Sequence, residues 1–281
     1  VVAESAAPVA VRLGLTLPSF RDDPAPALAV ATAAEASGLD GVFAYDHLFR
    51  RAPDGTLRPA LELLALMGAV AAETSRIAIG SLVARATLRP PAVLAQGLDT
   101  VARIAGRERV LATIGSGDEE SRDEMERFGL HYGTVSDRVQ ALRNTVEKVR
   151  DRGYPVWVGG HDPAVRECAA AHADGWNRWG GSVARFREQA EHLCVVAARE
   201  PFTVSWGGLL VLGADERDAA RKSERLQPGR GVIVGGPERV ADTLREYALA
   251  GARWLMLGPI DSSDPDNARI LGEVVLPLLR A

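Results

Sequence analysis

Two adjacent ionisable residues, Asp46 and His47, close an apolar run that reads Val42-Phe43-Ala44-Tyr45. An imidazole with the ordinary pKa of about 6.5 gives or takes a proton near neutral pH, and a neighbouring carboxylate can orient it. Placement matters as much as type, because ligands of parallel α/β proteins bind where the strands end. The pair also suits a structural role, with Asp46 capping the strand end and His47 half-buried and hydrogen-bonded. Glycines stand at comparable places in Gly115-Ser116-Gly117-Asp118, in Gly159-Gly160-His161-Asp162 and in Asn177-Arg178-Trp179-Gly180-Gly181-Ser182. A glycine after a strand lets backbone N–H groups approach an anion, and the next helix adds its positive end. Either glycine pair alone reads as a tight strand-to-helix turn. The two together with Arg178 read as a phosphate site.

Other chemistries find no match. Gly115-Ser116-Gly117 runs on to Glu120, so the third glycine of a dinucleotide-binding loop is missing. There is no Walker loop and no Gly-x-Ser-x-Gly elbow. His47, His131, His161, His172 and His192 have no metal-ligand spacing among themselves or with Cys168 and Cys194, so no metal is expected. His172 and His192 read as structural, and both cysteines as thiols buried in Ala-rich helices. The acidic run of Asp118, Glu119, Glu120, Asp123 and Glu124 reads as a solvated helix start. Within it, Asp118 and Glu119 are the candidates to reach a pocket.

The 281 residues are 47% hydrophobic and 25% charged, with a net charge of -4. That supports a large core, and the mild acidity argues against nucleic acid as the partner. No apolar run approaches the ~20 residues of a membrane span. Residues 1–9 carry neither the basic nor the apolar region of a signal peptide. The expectation is a soluble cytoplasmic protein acting on a small molecule, with a loose segment at 1–10 and one domain over 11–281.

Eight runs rich in Val, Ile and Leu predict the strands that must position these residues: 11–17, 41–46, 77–83, 109–114, 156–158, 175–178, 202–212 and 254–257. Amphipathic stretches alternate with them at 26–37, 59–73, 90–104, 135–150, 163–171, 183–199, 215–224 and 237–250. Prolines near the first turn (Pro91, Pro163, Pro237), Ser136 and Ser182 as N-caps, and Gly38 and Gly251 at helix ends punctuate the pattern. Eight βα units without a central break predict an α/β fold, a single (β/α)8 TIM barrel, with a doubly wound sheet as the alternative. Three longer connections belong to the ligand-binding face or its rim: a polar loop at 50–58, a stretch at 116–134 with an extra helix, and 227–236.

In this order and spacing the chain resembles the bacterial luciferase-like family of flavin and deazaflavin oxidoreductases, across residues 11–280. The matching segments are Asp46-His47-Leu48, Thr74-Ser75-Arg76-Ile77-Ala78-Ile79-Gly80, Arg89-Pro90-Pro91-Ala92-Val93-Leu94-Ala95 and Gly115-Ser116-Gly117 with Phe128-Gly129. Pro155-Val156-Trp157-Val158-Gly159-Gly160, His172-Ala173-Asp174-Gly175-Trp176-Asn177 and Val234-Gly235-Gly236-Pro237-Glu238-Arg239-Val240-Ala241 complete the set.

The resemblance implies a (β/α)8 barrel with a flavin-type ring across the strand ends. The Asp-His pair after strand two points to coenzyme F420 as the cofactor, with FMN and a monooxygenase reaction as the alternative and a non-catalytic relative as a third. By resemblance, Asp46 would bind the ring's polar edge and His47 would serve the reacting carbon as the catalytic acid or base. Leu82-Val83 would form a cis-peptide bulge behind the ring. Gly115, Gly117, Gly159, Gly160, Asn177, Arg178, Trp179, Gly180 and Gly181 would complete the cofactor site, its phosphate held by the last two loops. Trp176 and Trp179 would wall the pocket. No lysine stands where a sugar phosphate would need one, and Arg230 is a candidate for an anionic substrate or the cofactor tail. The family also implies a homodimer.

Overall fold

The computed structural model describes residues 11–52, 54–229 and 231–281. The N-terminal segment at 1–10 and Arg230 lie outside the described residues. Eight parallel strands close on themselves: β1 (Arg12–Thr16), β2 (Gly41–Ala44), β3 (Ala78–Ser81), β4 (Val110–Gly115), β5 (Val156–Gly159), β6 (Gly175–Trp179), β7 (Thr203–Leu212) and β8 (Trp254–Pro259). Pairing of Arg12 with Trp254 and of Leu15 with Leu257 joins the last strand to the first. The expected (β/α)8 barrel is present, and each of the eight predicted strands takes its place in it.

Strand side chains alternate between the barrel's inside and the helices around it. Leu13, Leu15, Val42, Ile79, Val156, Val158, Leu255 and Leu257 face outward into one continuous apolar core shared with the helices. Phe43, Leu82, Trp157, Trp254 and Met256 form a second, separate core within the barrel. Phe43 fits because Gly14 and Gly80 stand beside it; a Cβ at either would come within 2.6 or 2.7 Å of its ring. The barrel is therefore a filled plug, and any ligand must bind above it, at the carboxyl ends of the strands.

The helices follow the predicted pattern, with α1 at Ala25–Ala36, α2 at Leu63–Glu73 and α3 at Pro91–Ala105. Next come a short α4 at Arg122–Arg127, α5 at Val135–Arg150, α6 at Pro163–His172, α7 at Val183–Val196, α8 at Glu216–Leu226 and α9 at Pro237–Leu249. Several local expectations are corrected. Helix α2 starts at 63 and not at 59, because Leu57–Pro59 pairs antiparallel with Phe49–Arg51 in a hairpin where a loop was expected. The N-cap of α5 is Thr134, in a reciprocal box with Asp137, and not Ser136. Within 227–236, Ile233–Gly235 is a short strand beside the end of β7. Cys168 is buried as expected, but Cys194 is exposed on the outer side of α7. Among the described residues no helix is long and apolar enough to cross a membrane, and no metal-binding cluster occurs.

Candidate active site at the barrel mouth

Strand β2 delivers Asp46 and His47 to the mouth, as predicted, but with different partners from those expected. Asp46 is 2% exposed and accepts three hydrogen bonds from protein groups. The Arg85 backbone N–H lies 2.8 Å from Oδ2, and the Arg89 guanidinium approaches at 2.7 and 3.0 Å as a two-pronged fork. A carboxylate offers about four lone-pair sites, so little of Asp46 remains for a ligand. Asp46 holds the strand-three bulge against strand two, with about one lone-pair site to spare for a ligand. Arg89 also bonds Glu62, whose other oxygen caps α2 at the Ala65 N–H. Burial loosens the Arg89 proton, but the carboxylates of Asp46 and Glu62 outweigh that and hold it more tightly than usual.

His47 is half-buried, and its Nδ1 lies 2.9 Å from Oε1 of Glu124. Glu124 is 3% exposed. It also accepts the Leu48 N–H at 2.7 Å and one arm of Arg85. Burial raises its pKa, but the His47 bond, the Leu48 N–H and the Arg85 charge together hold it below the ordinary range. An ionised carboxylate at Nδ1 places the hydrogen there and leaves Nε2 as the ring's lone-pair nitrogen. Asp118 and Glu119, the candidates within the acidic run to reach the pocket, are engaged elsewhere. Asp118 caps the turn at Ser121, and Glu119 faces solvent against Arg122.

Arg85 was not anticipated either. It is 3% exposed, its Nη1 bonds Glu124, and its Nε and Nη2 have no partner. A relay thus runs Glu62–Arg89–Asp46–Arg85–Glu124–His47 across β2, the strand-three bulge and α4. The helical spacing of Ser121, Glu124 and Met125 was the available signal. These three are buried, while Arg122, Glu126 and Arg127 face out. The fully buried Met125 marks the inner face on which Glu124 lies.

The Leu82–Val83 peptide is cis, at the predicted position. Val83 reaches over the ends of β4 and β5, where a Cβ on Gly115 or Gly159 would lie 2.4 Å from one of its methyl groups. Those two glycines therefore make room for Val83. At Gly117, with φ +75°, a Cβ would sit in ordinary contact with the side chains of Arg85, Thr87 and Ser121. The Gly160 N–H is spent on the Asn177 carbonyl at 3.1 Å. Asn177 points into the barrel, where its amide bonds Ser205, so it is turned away from the mouth.

Opposite Val83, aromatic rings form a wall beside the imidazole. Phe20 lies 5.3 Å from His47 and 5.8 Å from Tyr45, whose ring meets the edge of Trp179 at 6.3 Å. Burial pushes the Tyr45 phenol up to about 12, and its hydroxyl bonds Thr16. Of the two tryptophans proposed as walls, Trp179 stands in the mouth. Trp176 is core, stacked on Phe186 of α7 with the rings 7° from parallel.

Cations gather at the loop after β6. Arg178 faces α7 under Gly180-Gly181, its Nε bonded to the Gly180 carbonyl and its Nη1 to Gln189. Burial first, then the nearby charges of Arg185 and Arg166, lower its pKa, and no carboxylate is among the charges acting on it. Uncompensated guanidinium groups at a helix start are a setting for an anion.

The mouth of this closed parallel barrel thus carries the His47–Glu124 pair, an aromatic wall and a cationic loop. The family model for luciferase-like monooxygenases matches residues 5–229, and the chain belongs to that family. A protein named F420-dependent glucose-6-phosphate dehydrogenase from Nakamurella multipartita is 28% identical over 60% of this chain, and the match spans only 56% of that relative's own length. A protein of the same name from Microbacterium testaceum is 28% identical over 97% of this chain and 98% of its own. Among solved structures, an F420-dependent secondary alcohol dehydrogenase in complex with an F420-acetone adduct superposes with a TM-score of 0.80 at 17% identity. That likeness covers 96% of this chain and 99% of the other, and it concerns the fold.

Proposed function

We propose that this protein is an oxidoreductase that uses the deazaflavin coenzyme F420 to exchange a hydride with a small organic substrate. The observation that carries the reading is His47 at the barrel mouth, fixed through Nδ1 by a buried, ionised Glu124. The residues fit such a cofactor. Val83, cleared by Gly115 and Gly159, offers a flat apolar support for a ring, and the Gly180-Gly181 loop with Arg178 offers an anion seat. Relatives named for F420 use add to the reading.

Bound there, the cofactor would supply the hydride chemistry, since the protein's part is orientation and electrostatics. The protein's own contribution is then a proton. His47 Nε2 gives it to a carbonyl oxygen as that becomes a hydroxyl, or removes it in the reverse direction. Glu124 steadies the imidazole in both protonation states. The aromatic wall of Phe20, Tyr45 and Trp179 excludes water from the face where substrate enters.

Titration of the purified protein with F420 and with FMN, followed by their absorbance and fluorescence, tests the reading. Saturable micromolar binding of F420 with weak or absent FMN binding is expected. Tight FMN binding with substrate-dependent oxygen uptake would instead support the monooxygenase reading, which the family model's description favours.

A further inference from the structure

The loop that follows β6 is held open by donors from three elements: Arg178 of β6, Trp206 of β7 and Tyr247 of α9. The Gly180 carbonyl accepts from Arg178 Nε at 3.0 Å and from Trp206 Nε1 of β7 at 3.2 Å. The Gly181 carbonyl accepts the hydroxyl of Tyr247, on α9, at 2.7 Å. Both glycines adopt positive φ, +69° and +84°, a conformation that L side chains rarely take. The Gly180 N–H is spent on the Gly207 carbonyl at 2.7 Å. The N–H groups of Gly181, Ser182, Val183 and Ala184, by contrast, have no acceptor among the described residues; the next, that of Arg185, is capped by the Ser182 hydroxyl at 3.4 Å.

The consequence is directional. With both carbonyls drawn back toward the barrel and α9, the free N–H groups are presented at the start of a helix of 14 residues. That is the concave arrangement of amides that holds a phosphate. Arg178, 6% exposed beneath the loop with no carboxylate acting on it, and the buried Nε of Arg166, which has no partner among the described residues, are the independent sign that the ligand is anionic. Tyr247 cannot wander: its ring stacks on Trp206 at 3.8 Å with 18° between planes and meets the edge of Phe186 at 5.9 Å. It is only 6% exposed.

We propose that Tyr247, backed by Trp206, is a positioning residue that pre-forms the cofactor-phosphate seat by fixing the carbonyls of Gly181 and Gly180. The proposal rests on the cofactor reading above. Tyr247 touches no reacting atom, so its removal acts on the phosphate and not on the ring.

Tyr247→Phe keeps the stacked ring and removes the single hydroxyl. The test compares dissociation constants for two ligands, F420 and its phosphate-free deazariboflavin core, measured by ligand fluorescence in wild type and variant. The preference for F420 over the core is expected to fall about three- to tenfold, the worth of one net hydrogen bond. Affinity for the core and the melting temperature are expected to stay near wild type. Trp206→Phe, which removes the second donor, provides the same comparison should Tyr247→Phe fail to fold. An unchanged preference, or equal losses for both ligands, would overturn the proposal. Should wild type prefer FMN, the FMN and riboflavin pair carries the same comparison. Wild type binding none of the four would remove the cofactor reading together with this one.

Discussion

Glu124 Oε1 and His47 Nδ1 stand 2.9 Å apart although 77 positions separate them in the chain. The contact joins the end of strand β2 to a six-residue helix that exists only within the β4–α5 connection. It also ties the imidazole to a buried arginine, so His47 and Arg85 share one carboxylate.

Glu124→Gln preserves shape and removes the charge. It leaves the Arg85 guanidinium buried without its counter-ion, and breaking such a pair typically costs about 3–5 kcal/mol. The expected result is a clearly lowered melting temperature together with a turnover reduced at least tenfold. Normal turnover at full stability would show that Glu124 neither orients His47 nor balances Arg85.

His47→Asn should reduce turnover by about 10²–10⁴-fold, the usual contribution of a placed acid or base. Cofactor affinity should change less than threefold, because Nε2 serves the substrate. Parallel equilibrium titration and steady-state rates separate the two effects. A variant as fast as wild type would remove the proton-transfer role.

Gly159→Ala places a methyl group 2.4 Å from Val83 Cγ1. Overpacking of this kind costs about 1–3 kcal/mol and should displace the Val83 shelf. Val83→Ala on the same chain should recover part of the loss, a coupling readable in a double-mutant cycle of melting curves. Additive losses would mean that the two residues do not press on one another.

At the opposite face of the barrel, Glu35 gathers the N–H groups of Ser75, Arg76 and Ile77 ahead of β3. Burial raises its pKa, yet those backbone bonds and the Ser75 hydroxyl prevail and bring it down to about 2. A depressed carboxyl stabilises the fold above its unfolded value and loses that contribution as pH falls through the folded one. Because Glu35 is partly solvent-exposed, screening reduces the effect to on the order of 1 kcal/mol. Between about pH 4.5 and 2, wild type should lose stability toward the level of Glu35→Gln, and the two unfolding curves should converge. A constant gap across that window would exclude this origin.

Strand order was legible because each barrel strand is a compact apolar run followed by a polar break, and the repeat leaves few alternative topologies. The hairpin at 49–59 was not: Phe49–Arg51 and Leu57–Pro59 are mostly exposed and carry no alternation that distinguishes them from a loop. Asp46 and His47 were found from their place at a strand end. Their partners were not, since Arg85, Arg89 and Glu124 reach them only through tertiary folding, and Glu124 lies among four other acids within seven positions. The glycines illustrate the same limit. Sequence shows that a glycine stands after a strand, but only packing shows that Gly115 and Gly159 yield space to a valine while Gly181 exposes its amide.

Strand β6 sends Trp179 into the mouth and Arg178, the residue before it, outward to the start of α7. A one-residue slip in its pairing would put a guanidinium among the aromatic rings and an indole beneath the Gly180-Gly181 loop, so both compartments would fail together. Correct register there is a shared condition for two binding events of opposite polarity. Substitutions at either position are nonetheless separable, because the pleat itself partitions them. An altered mouth at residue 179 can be explored without disturbing the contacts that residue 178 makes with the Gly180 carbonyl and Gln189.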